Sequence, residues 1–277
     1  MSAASKDLRD LPGQFVLVGA GKMGGALLEG WLRLGLAPAQ IAVIEPKPSP
    51  EIAALANRGV RLNPDPRALT GAAAIVIAVK PQIAAEALPV IAPMIGKFTM
   101  VVSIMAGRTL QSLATALPGS SAIVRAMPNL PASIGRGIAV AVPWRTDDAQ
   151  RALADRLLSA TGKVAWVDDE TLLDAVTAVS GSGPAYVFLL AEALTDAGAA
   201  AGLPRALAAE LARETVAGAG ALLHDSPLDA ADLRAAVTSP GGTTAAALDV
   251  LMGADGLPQL LKKAVAAATA RSRKLAE

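Results

Sequence analysis

The chain has 277 residues, and its 25 Lys and Arg residues nearly balance 24 Asp and Glu residues, giving a net charge of +1. Such a balance provides no broad positive field for nucleic acid or an anionic membrane, so the composition disfavours both partners. Cysteine is absent, which excludes disulfides and thiolate sites, and we expect no metal. Because 53% of residues are apolar but only 3% aromatic, Ala, Val, Leu and Ile must fill the core, as is typical of helices packed on a parallel sheet.

The first twelve residues, MSAASKDLRDLP, are polar, of mixed charge, and lack the apolar core of a signal peptide. We expect residues 1–12 to form a disordered leader. The uninterrupted apolar runs, such as residues 72–79 and 186–191, are much shorter than the roughly 20 residues needed to cross a bilayer. The sequence thus predicts a soluble, cytoplasmic protein without a membrane partner.

From Gln14 onwards, short β-rich runs alternate with Ala/Leu-rich stretches of helical length, the pattern of β-α units that build a parallel sheet. Beyond Asp168 every segment has a helical pattern, with prolines where helices could begin. The prediction is an α/β protein with a doubly wound Rossmann domain over residues 13–168 and an all-helical domain over residues 169–277. The predicted strands are 14–19, 41–45, 74–79, 99–103, 122–125, 137–142 and 164–167, and the predicted helices of the first domain are 23–34, 50–57, 83–94 and 110–117.

The helices predicted at residues 185–201 and 204–223 are apolar around much of their circumference. Such helices need partners on several sides. A helical region with so little polar surface is hard to keep soluble alone. We therefore expect a homodimer that forms through the helical domain.

A G-x-G-x-x-G motif follows the first predicted strand and leads directly into a helix. The first glycine permits a tight turn, the second lets a pyrophosphate approach the backbone, and the third allows close packing of helix on strand. The alternative is a glycine-rich turn without a ligand, but the strand and helix on either side favour dinucleotide binding. The predicted cofactor-binding residues of this loop are Gly19, Gly21, Lys22, Met23 and Gly24.

Glu45 ends the second predicted strand, where an acid would accept hydrogen bonds from the adenosine ribose and repel a 2′-phosphate. This favours NADH, but Lys47 and Ser49 follow closely and could contact a phosphate, so the choice between NADH and NADPH stays open. The segment Ala78-Val79-Lys80-Pro81 ends another strand at the edge where such sheets bind ligands. We expect it to face the nicotinamide, with Lys80 either contacting the cofactor or simply exposed.

Few residues could act as proton carrier for an alcohol substrate. The single histidine, His224, lies at a predicted helix end, the single tyrosine, Tyr186, has the position of a packing residue, and no lysine occurs between Lys163 and Lys262. These features disfavour a hydroxy-acid dehydrogenase. A protonated imine, in contrast, accepts hydride without a strong protein acid, so positioning suffices.

Two polar clusters in the helical half offer such positioning. They are Ser-Gly-Ser-Gly-Pro at residues 180–184 and Thr-Ser-Pro-Gly-Gly-Thr-Thr at residues 238–244, and each combines hydroxyls with glycines at a predicted helix start. Successive N–H groups in the second cluster would form a concavity for a substrate carboxylate. Ordinary N-capping turns are the alternative for both.

Beyond the leader, six motifs follow one another along the chain: VGAGKMGGALLEG, AVKPQ, VSIMAG, VRAMPNLPA, SGSGPAYVFLLAEALTDAG and VTSPGGTTAAALDVL. On these motifs, nearly the whole chain resembles the pyrroline-5-carboxylate reductase family. The resemblance implies reduction of the C=N bond of 1-pyrroline-5-carboxylate to L-proline, the last step of proline biosynthesis, with NADPH or NADH as cofactor. It also implies dimerisation through the helical domain, and the dimers could associate further, up to a decamer of dimers.

Matched motif by motif, the resemblance also assigns site residues. Thr244 would donate to the imine nitrogen, and Asn129 and residues 78–81 would lie near the nicotinamide ribose. The active site would lie between a Rossmann domain and helices of the dimer. The implied substrate-binding residues are Ser239, Gly241, Gly242, Thr243 and Thr244. The chain departs from the usual family pattern at Lys22, Glu45, Met105, Leu130 and Arg234.

Two other functions predict different behaviour. A β-hydroxyacid dehydrogenase shares a glycine-motif domain followed by helices, but it requires a catalytic lysine in the helical half, where the lysine gap lies. A nonenzymatic dinucleotide sensor would bind cofactor without turnover, and its two hydroxyl-rich clusters would then be only helix caps.

Overall fold

A computed structural model describes residues 7–120 and 122–276. The chain divides into two compact units: the first joins Met1–Gly181 to Thr269–Glu277, and the second is Ser182–Ala268. The domain boundary predicted near residue 168 falls inside the first unit, so the division at that residue stays a prediction.

An eight-stranded sheet forms the first unit. Its strands are β1 (Phe15–Val18), β2 (Ile41–Ile44), β3 (Arg61–Leu62), β4 (Ala74–Ile77), β5 (Met100–Ser103), β6 (Ala122–Met127), β7 (Gly137–Trp144) and β8 (Gly162–Trp166). They lie in the order β3-β2-β1-β4-β5-β6-β7-β8, and every pair except β6–β7 is parallel. The order reverses at β1, which makes the carboxyl edge of β1 and β4 the expected ligand-binding crevice.

Helices cover both faces of this sheet. They are α1 (Lys22–Arg33), α2 (Pro50–Ala54), α3 (Ala84–Ile91), α4 (Leu110–Ala116), α5 (Asp148–Ser159) and α6 (Leu172–Val176). Side chains alternate along β1, so that Phe15 joins the core under α1, α2 and α5 while Val16 joins the core under α3 and α4. The doubly wound α/β fold expected from the sequence is confirmed.

Three features of the first unit differ from the predicted elements. Strand β7 runs antiparallel to β6 because the short 3-10 turn at Leu130–Ile134 replaces the crossover that a parallel pair needs. The two-residue strand β3 is too short to give a pattern. Helix α5 was also missed, although Asp147 and Gln150 form a capping box at its start.

The disordered leader predicted for residues 1–12 requires a correction at residues 7–12. Leu8 is 0% exposed and Leu11 is 7% exposed. The Leu8 N–H donates to the Leu34 carbonyl at 2.9 Å, and the Gln40 amide donates to the Leu11 carbonyl at 2.7 Å. Two leucines spaced among polar residues therefore anchor this segment on the core, while residues 1–6 lie outside the described residues.

The second unit is helical. Its helices are α7 (Gly183–Ala200), α8 (Arg205–Asp225), α9 (Ala230–Ala236), α10 (Thr243–Leu251) and α11 (Leu257–Ala276), the last of which ends in residues of the first unit. A π-helical turn, Thr177–Gly181, precedes α7. Helices α7 and α8 pack closely where Gly198 faces Ala208, but Phe188 and Leu189 on α7 are 61% and 62% exposed.

Within the described part of the chain, the segment Leu172–Ala200 is long and apolar enough to span a membrane by length and composition, with a mean hydropathy of 1.3. Serine, glycine and proline residues interrupt this segment, so it contains no long uninterrupted apolar run in the sequence. Since only 11% of the apolar window is buried, this surface requires a cover, and the homodimer expected from the sequence would provide one.

Candidate active site

The glycine motif joins β1 to α1, and two of its glycines are required by packing. Gly19 has φ +90°, and a Cβ there would lie 2.9 Å from the carbonyl carbon of Ala78. A Cβ on Gly24 would overlap the carbonyl oxygen of Gly19. Larger residues would therefore push α1 away from the sheet edge.

Gly21 has a different role, since a Cβ there would meet nothing within 4 Å. It is the N-cap of α1, receives no side-chain cap, and is followed by a first turn without an acid. Lys22 is exposed and Met23 is half-buried in that turn. The first N–H groups of α1 lack partners within the helix and lie at its positive end, so the loop fits a pyrophosphate.

The carboxylate of Glu45 lies against this loop. Its Oε2 accepts from the Ala20 N–H at 2.9 Å, and its Oε1 accepts from the Lys47 N–H at 3.1 Å. Asn63 fixes the backbone of Glu45, because the Glu45 N–H donates to Asn63 Oδ1 at 2.8 Å and the Asn63 amide donates to the Glu45 carbonyl at 2.9 Å. Asn63 was missed in the sequence, where it lies in a polar turn.

The segment at the end of β4 also lies beside the loop. The Ala78 N–H donates to the Val18 carbonyl at 2.7 Å, and the Val79 side chain packs so closely that a Cβ on Gly19 would lie 2.9 Å from it. Lys80 is exposed and Pro81 begins a 3-10 turn. The fold thus joins the glycine loop, Glu45 and the first residues of this segment at one edge.

Asn129 has a structural partner of its own. Its Oδ1 accepts from the Ile138 N–H at 3.0 Å and so holds the start of β7 against the turn that follows β6. No contact of Asn129 with the glycine loop is recorded among the described residues, and its place near the nicotinamide ribose stays a prediction.

The predicted substrate loop precedes α10 in the second unit. Gly242 is the N-cap without a side-chain cap, and the first turn of α10 contains no acid. The Gly242 N–H donates to the Ser239 carbonyl at 3.1 Å, and Gly241 has φ +70°. Thr243 is exposed and Thr244 is half-buried. An open helix N-terminus bordered by hydroxyls is suited to a carboxylate.

The other polar cluster, residues 180–184, has a different geometry. Ser180 and Gly181 end the π-helical turn, and Ser180 Oγ is buried without a hydrogen-bond partner in the described structure. A Cβ on Gly181 would lie 2.8 Å from Met127 Cε. Gly181 therefore packs against the end of β6, and the π-helical turn leads directly into α7.

A buried ion pair supports the same region of the first unit. Arg125 on β6 is 7% exposed, and its guanidinium lies 2.6 Å from Glu170 Oε1, which also accepts from the Leu110 N–H at 2.7 Å. The pair ties β6 to the start of α4 and to the segment before α6. Sequence spacing gave no signal for it, since Arg125 and Glu170 are far apart in the chain.

In the part of the chain that the structure describes, no three His, Asp or Glu side chains lie together in a group that could hold a metal ion. The groups available at the two loops are backbone N–H groups, hydroxyls and one carboxylate.

The strand order, the uncapped glycine loop and the acid after β2 define a Rossmann-type dinucleotide-binding oxidoreductase. Residues 14–107 match the family model described as NADP oxidoreductase coenzyme F420-dependent, and residues 170–275 match the model described as pyrroline-5-carboxylate reductase dimerisation. The chain belongs to the pyrroline-5-carboxylate reductase family.

Individual relatives agree over nearly the full length. The pyrroline-5-carboxylate reductase of Pseudomonas aeruginosa is 38% identical over 266 residues, covering 95% of this chain and 97% of the relative. The structure of a pyrroline-5-carboxylate reductase from Coxiella burnetii has a TM-score of 0.88 at 32% identity and covers 96% of this chain and 99% of that one. The Plasmodium falciparum pyrroline carboxylate reductase with NADP bound has a TM-score of 0.78 at 27% identity, covering 95% and 98%.

Proposed function

We propose that this chain catalyses the NAD(P)H-dependent reduction of 1-pyrroline-5-carboxylate to L-proline, the last step of proline biosynthesis. The observation that carries the proposal is the match of residues 170–275 to the dimerisation model of this reductase family. The two motifs in that half, SGSGPAYVFLLAEALTDAG and VTSPGGTTAAALDVL, are the most specific ones, since generic Rossmann reductases do not need them. The open N-termini of α1 and α10 supply two anion sites, as a dinucleotide and a carboxylate substrate require.

The cofactor site is assigned to the first unit. The N–H groups at the start of α1 hold the pyrophosphate, Gly21 leaves room for its approach, and Glu45 accepts hydrogen bonds from the adenosine ribose. Residues 78–81 and Asn129 line the nicotinamide end. When bound, NAD(P)H supplies the hydride that reduces the C=N carbon.

The substrate site is assigned to residues 239–244. The N–H groups of Gly241 and Thr243 and the hydroxyl of Ser239 hold the carboxylate at the positive end of α10, while Gly242, whose N–H donates to the Ser239 carbonyl, shapes the turn around the substrate. The Thr244 hydroxyl donates a hydrogen bond to the imine nitrogen and orients the ring. Because the imine nitrogen can already be protonated near neutral pH, an orienting group suffices where an alcohol would need a strong acid.

The family match supports a homo-oligomer, and we assign the dimer contact to the helical half, residues 169–277. The exposed apolar side chains of α7 agree with this assignment. A Rossmann domain over residues 13–168, a cytoplasmic location and assembly up to a decamer of dimers complete the proposal on the basis of the family resemblance.

The test is to mix purified protein with 1-pyrroline-5-carboxylate and either NADH or NADPH, and to follow cofactor oxidation as the loss of absorbance at 340 nm. Rapid oxidation of either cofactor is the expected result. A parallel assay supplies a β-hydroxy acid with the oxidised cofactors, and turnover there without imine reduction would identify a hydroxyacid dehydrogenase instead. Cofactor binding without any turnover would support the sensor.

A further inference from the structure

Glu45 lies at the point where cofactor choice is made. It directly follows β2, next to β1 in the sheet, and its Oε2 is bonded to the Ala20 N–H inside the glycine loop. In a Rossmann fold this position faces the adenosine ribose, where NADH presents a 2′-hydroxyl and NADPH a 2′-phosphate. The inference rests on the cofactor site of the proposed function.

The bonding of the Glu45 carboxylate leaves acceptor capacity for a diol. A carboxylate has about four lone-pair sites, and the N–H groups of Ala20 and Lys47 occupy one on each oxygen. One site on each oxygen remains for the two ribose hydroxyls. This matches the hydroxyl donors of NADH.

The same anchoring keeps the charge in place. Two backbone N–H groups hold the carboxylate, and Asn63 pairs with both the N–H and the carbonyl of Glu45. Glu45 is also only partly exposed, which reduces solvent screening. A 2′-phosphate, with a charge of about −1.5 to −2, would therefore face a carboxylate that cannot turn aside.

Basic residues close to Glu45 offset this repulsion only in part. Lys22, in the first turn of α1, and Lys47, two residues after Glu45, are exposed, and each is a hydrated point charge on a flexible stem. The first arginine after β2 is Arg58, which ends the 3-10 turn Leu55–Arg58 and lines a pocket with Glu29 and Glu51. The loop that directly follows Glu45 therefore lacks the planar fork that binds phosphate bidentately.

We propose that Glu45, positioned by Asn63, makes this enzyme prefer NADH to NADPH. Asn63 has φ +49°, a left-handed conformation that asparagine tolerates better than most residues. Its own N–H donates to the Val43 carbonyl at 2.8 Å, so the backbone conformation is fixed from the neighbouring strand. Asn63 is accordingly a positioning residue that acts through Glu45.

Calorimetric binding without substrate tests the preference on the wild-type chain. NADH should bind about tenfold or more tightly than NADPH, since the 2′-phosphate would lie beside a like charge. The fragment 5′-AMP should likewise bind more tightly than adenosine 2′,5′-bisphosphate. Equal or tighter binding of NADPH and of the 2′-phosphorylated fragment would overturn the proposal.

Variants locate the preference. Glu45→Gln should lower the ratio of the NADPH to the NADH dissociation constant by about tenfold, whereas Glu51→Gln, which removes an exposed acid on α2, should leave it unchanged. Asn63→Gly keeps the backbone conformation but removes the hydrogen bonds of the side chain to Glu45. It should lower the ratio of the two dissociation constants by less than Glu45→Gln does. An unchanged ratio in Glu45→Gln would refute the role of Glu45, and an unchanged ratio in Asn63→Gly would refute that of Asn63.

Because these affinities are measured without substrate, they separate this inference from the proposed function. A chain that prefers NADH as described yet fails to reduce 1-pyrroline-5-carboxylate would support the cofactor inference and contradict the function. A chain that reduces the imine but binds NADPH more tightly would support the proposed function and contradict the cofactor inference.

Discussion

Thr244 stands in the first turn of α10, half-buried, next to the exposed Thr243. Thr244→Ala removes the proposed donor to the imine nitrogen, so kcat should fall by roughly 10²-fold. Cofactor affinity should stay unchanged, because the proposed cofactor residues belong to the other compact unit. Thr244→Ser keeps a hydroxyl and should keep most of the activity. A kcat equal to that of the wild type in Thr244→Ala would show that Thr244 is not the donor.

Gly21 and Gly24 allow the two functions of the glycine motif to be separated. Gly21→Ala places its Cβ in open space, so the melting temperature should stay unchanged. Cofactor affinity should fall, because the added methyl group would lie where the pyrophosphate binds. Gly24→Ala forces a Cβ onto the Gly19 carbonyl and should lower the free energy of unfolding by about 1–3 kcal/mol. Thermal unfolding and calorimetry check both, and normal cofactor affinity in Gly21→Ala would contradict the assignment.

The turn of the glycine motif could be predicted because its strand, glycines and helix are consecutive in the chain, although Gly19 itself packs against the distant Ala78 and Val79. Asn63 could not, since its partner Glu45 lies on the neighbouring strand and the spacing of the two residues follows no motif. Ser180 shows the opposite limit. Its hydroxyl-glycine context resembles a helix cap, but the π-helical turn buries Oγ instead.

At the scale of the secondary structure elements, the Arg125–Glu170 pair connects β6 to the segment before α6 and to the start of α4. Glu170→Ala would leave the buried Arg125 guanidinium and the Leu110 N–H without their carboxylate. The loss in the free energy of unfolding should be about 1–3 kcal/mol, below the range for fully buried pairs because the Glu170 side chain is 26% exposed.

The matched control for that experiment is the pair of Arg9 with Asp7, in which the Arg9 side chain is 77% exposed. Arg9→Met keeps the aliphatic stem and should leave the free energy of unfolding almost unchanged, because exposed ion pairs contribute little. Urea unfolding of both variants compares the two costs. Equal losses would mean that the Arg125–Glu170 pair is no more than a surface contact.

The parallel strands were predictable because buried β-branched runs alternate with helical segments, whereas the antiparallel β7 was not. Its direction depends on the length of the connection after β6, which a strand pattern does not report. Helix α5 carried a usable signal in its capping box, Asp147 and Gln150. Strand β3 had none, since two residues cannot show a period.

At the scale of the whole molecule, the two halves pose different physical problems. The first unit buries its apolar residues on both faces of the sheet. The second unit leaves large apolar side chains of α7 and α8 exposed, among them Phe188, Leu189 and Leu222. The sequence could predict that these helices need a partner, because they are apolar on several sides, but the number of subunits in the assembly depends on surfaces that periodicity does not describe.

Phe188 tests the dimer contact. It is 61% exposed and lines, with Val187 and Arg213, a cavity of about 810 Å³ that α7 and α8 form. Phe188→Asp would bury a charge without a partner in the interface, a cost of several kcal/mol that weakens dimerisation by about 10²-fold or more. Light scattering at micromolar concentration should then report monomer for the variant and dimer or larger for the wild type. Phe98→Asp is the control, since Phe98 is 79% exposed in the other unit; if it dissociated the assembly equally, or if Phe188→Asp stayed assembled, the contact would not be on α7.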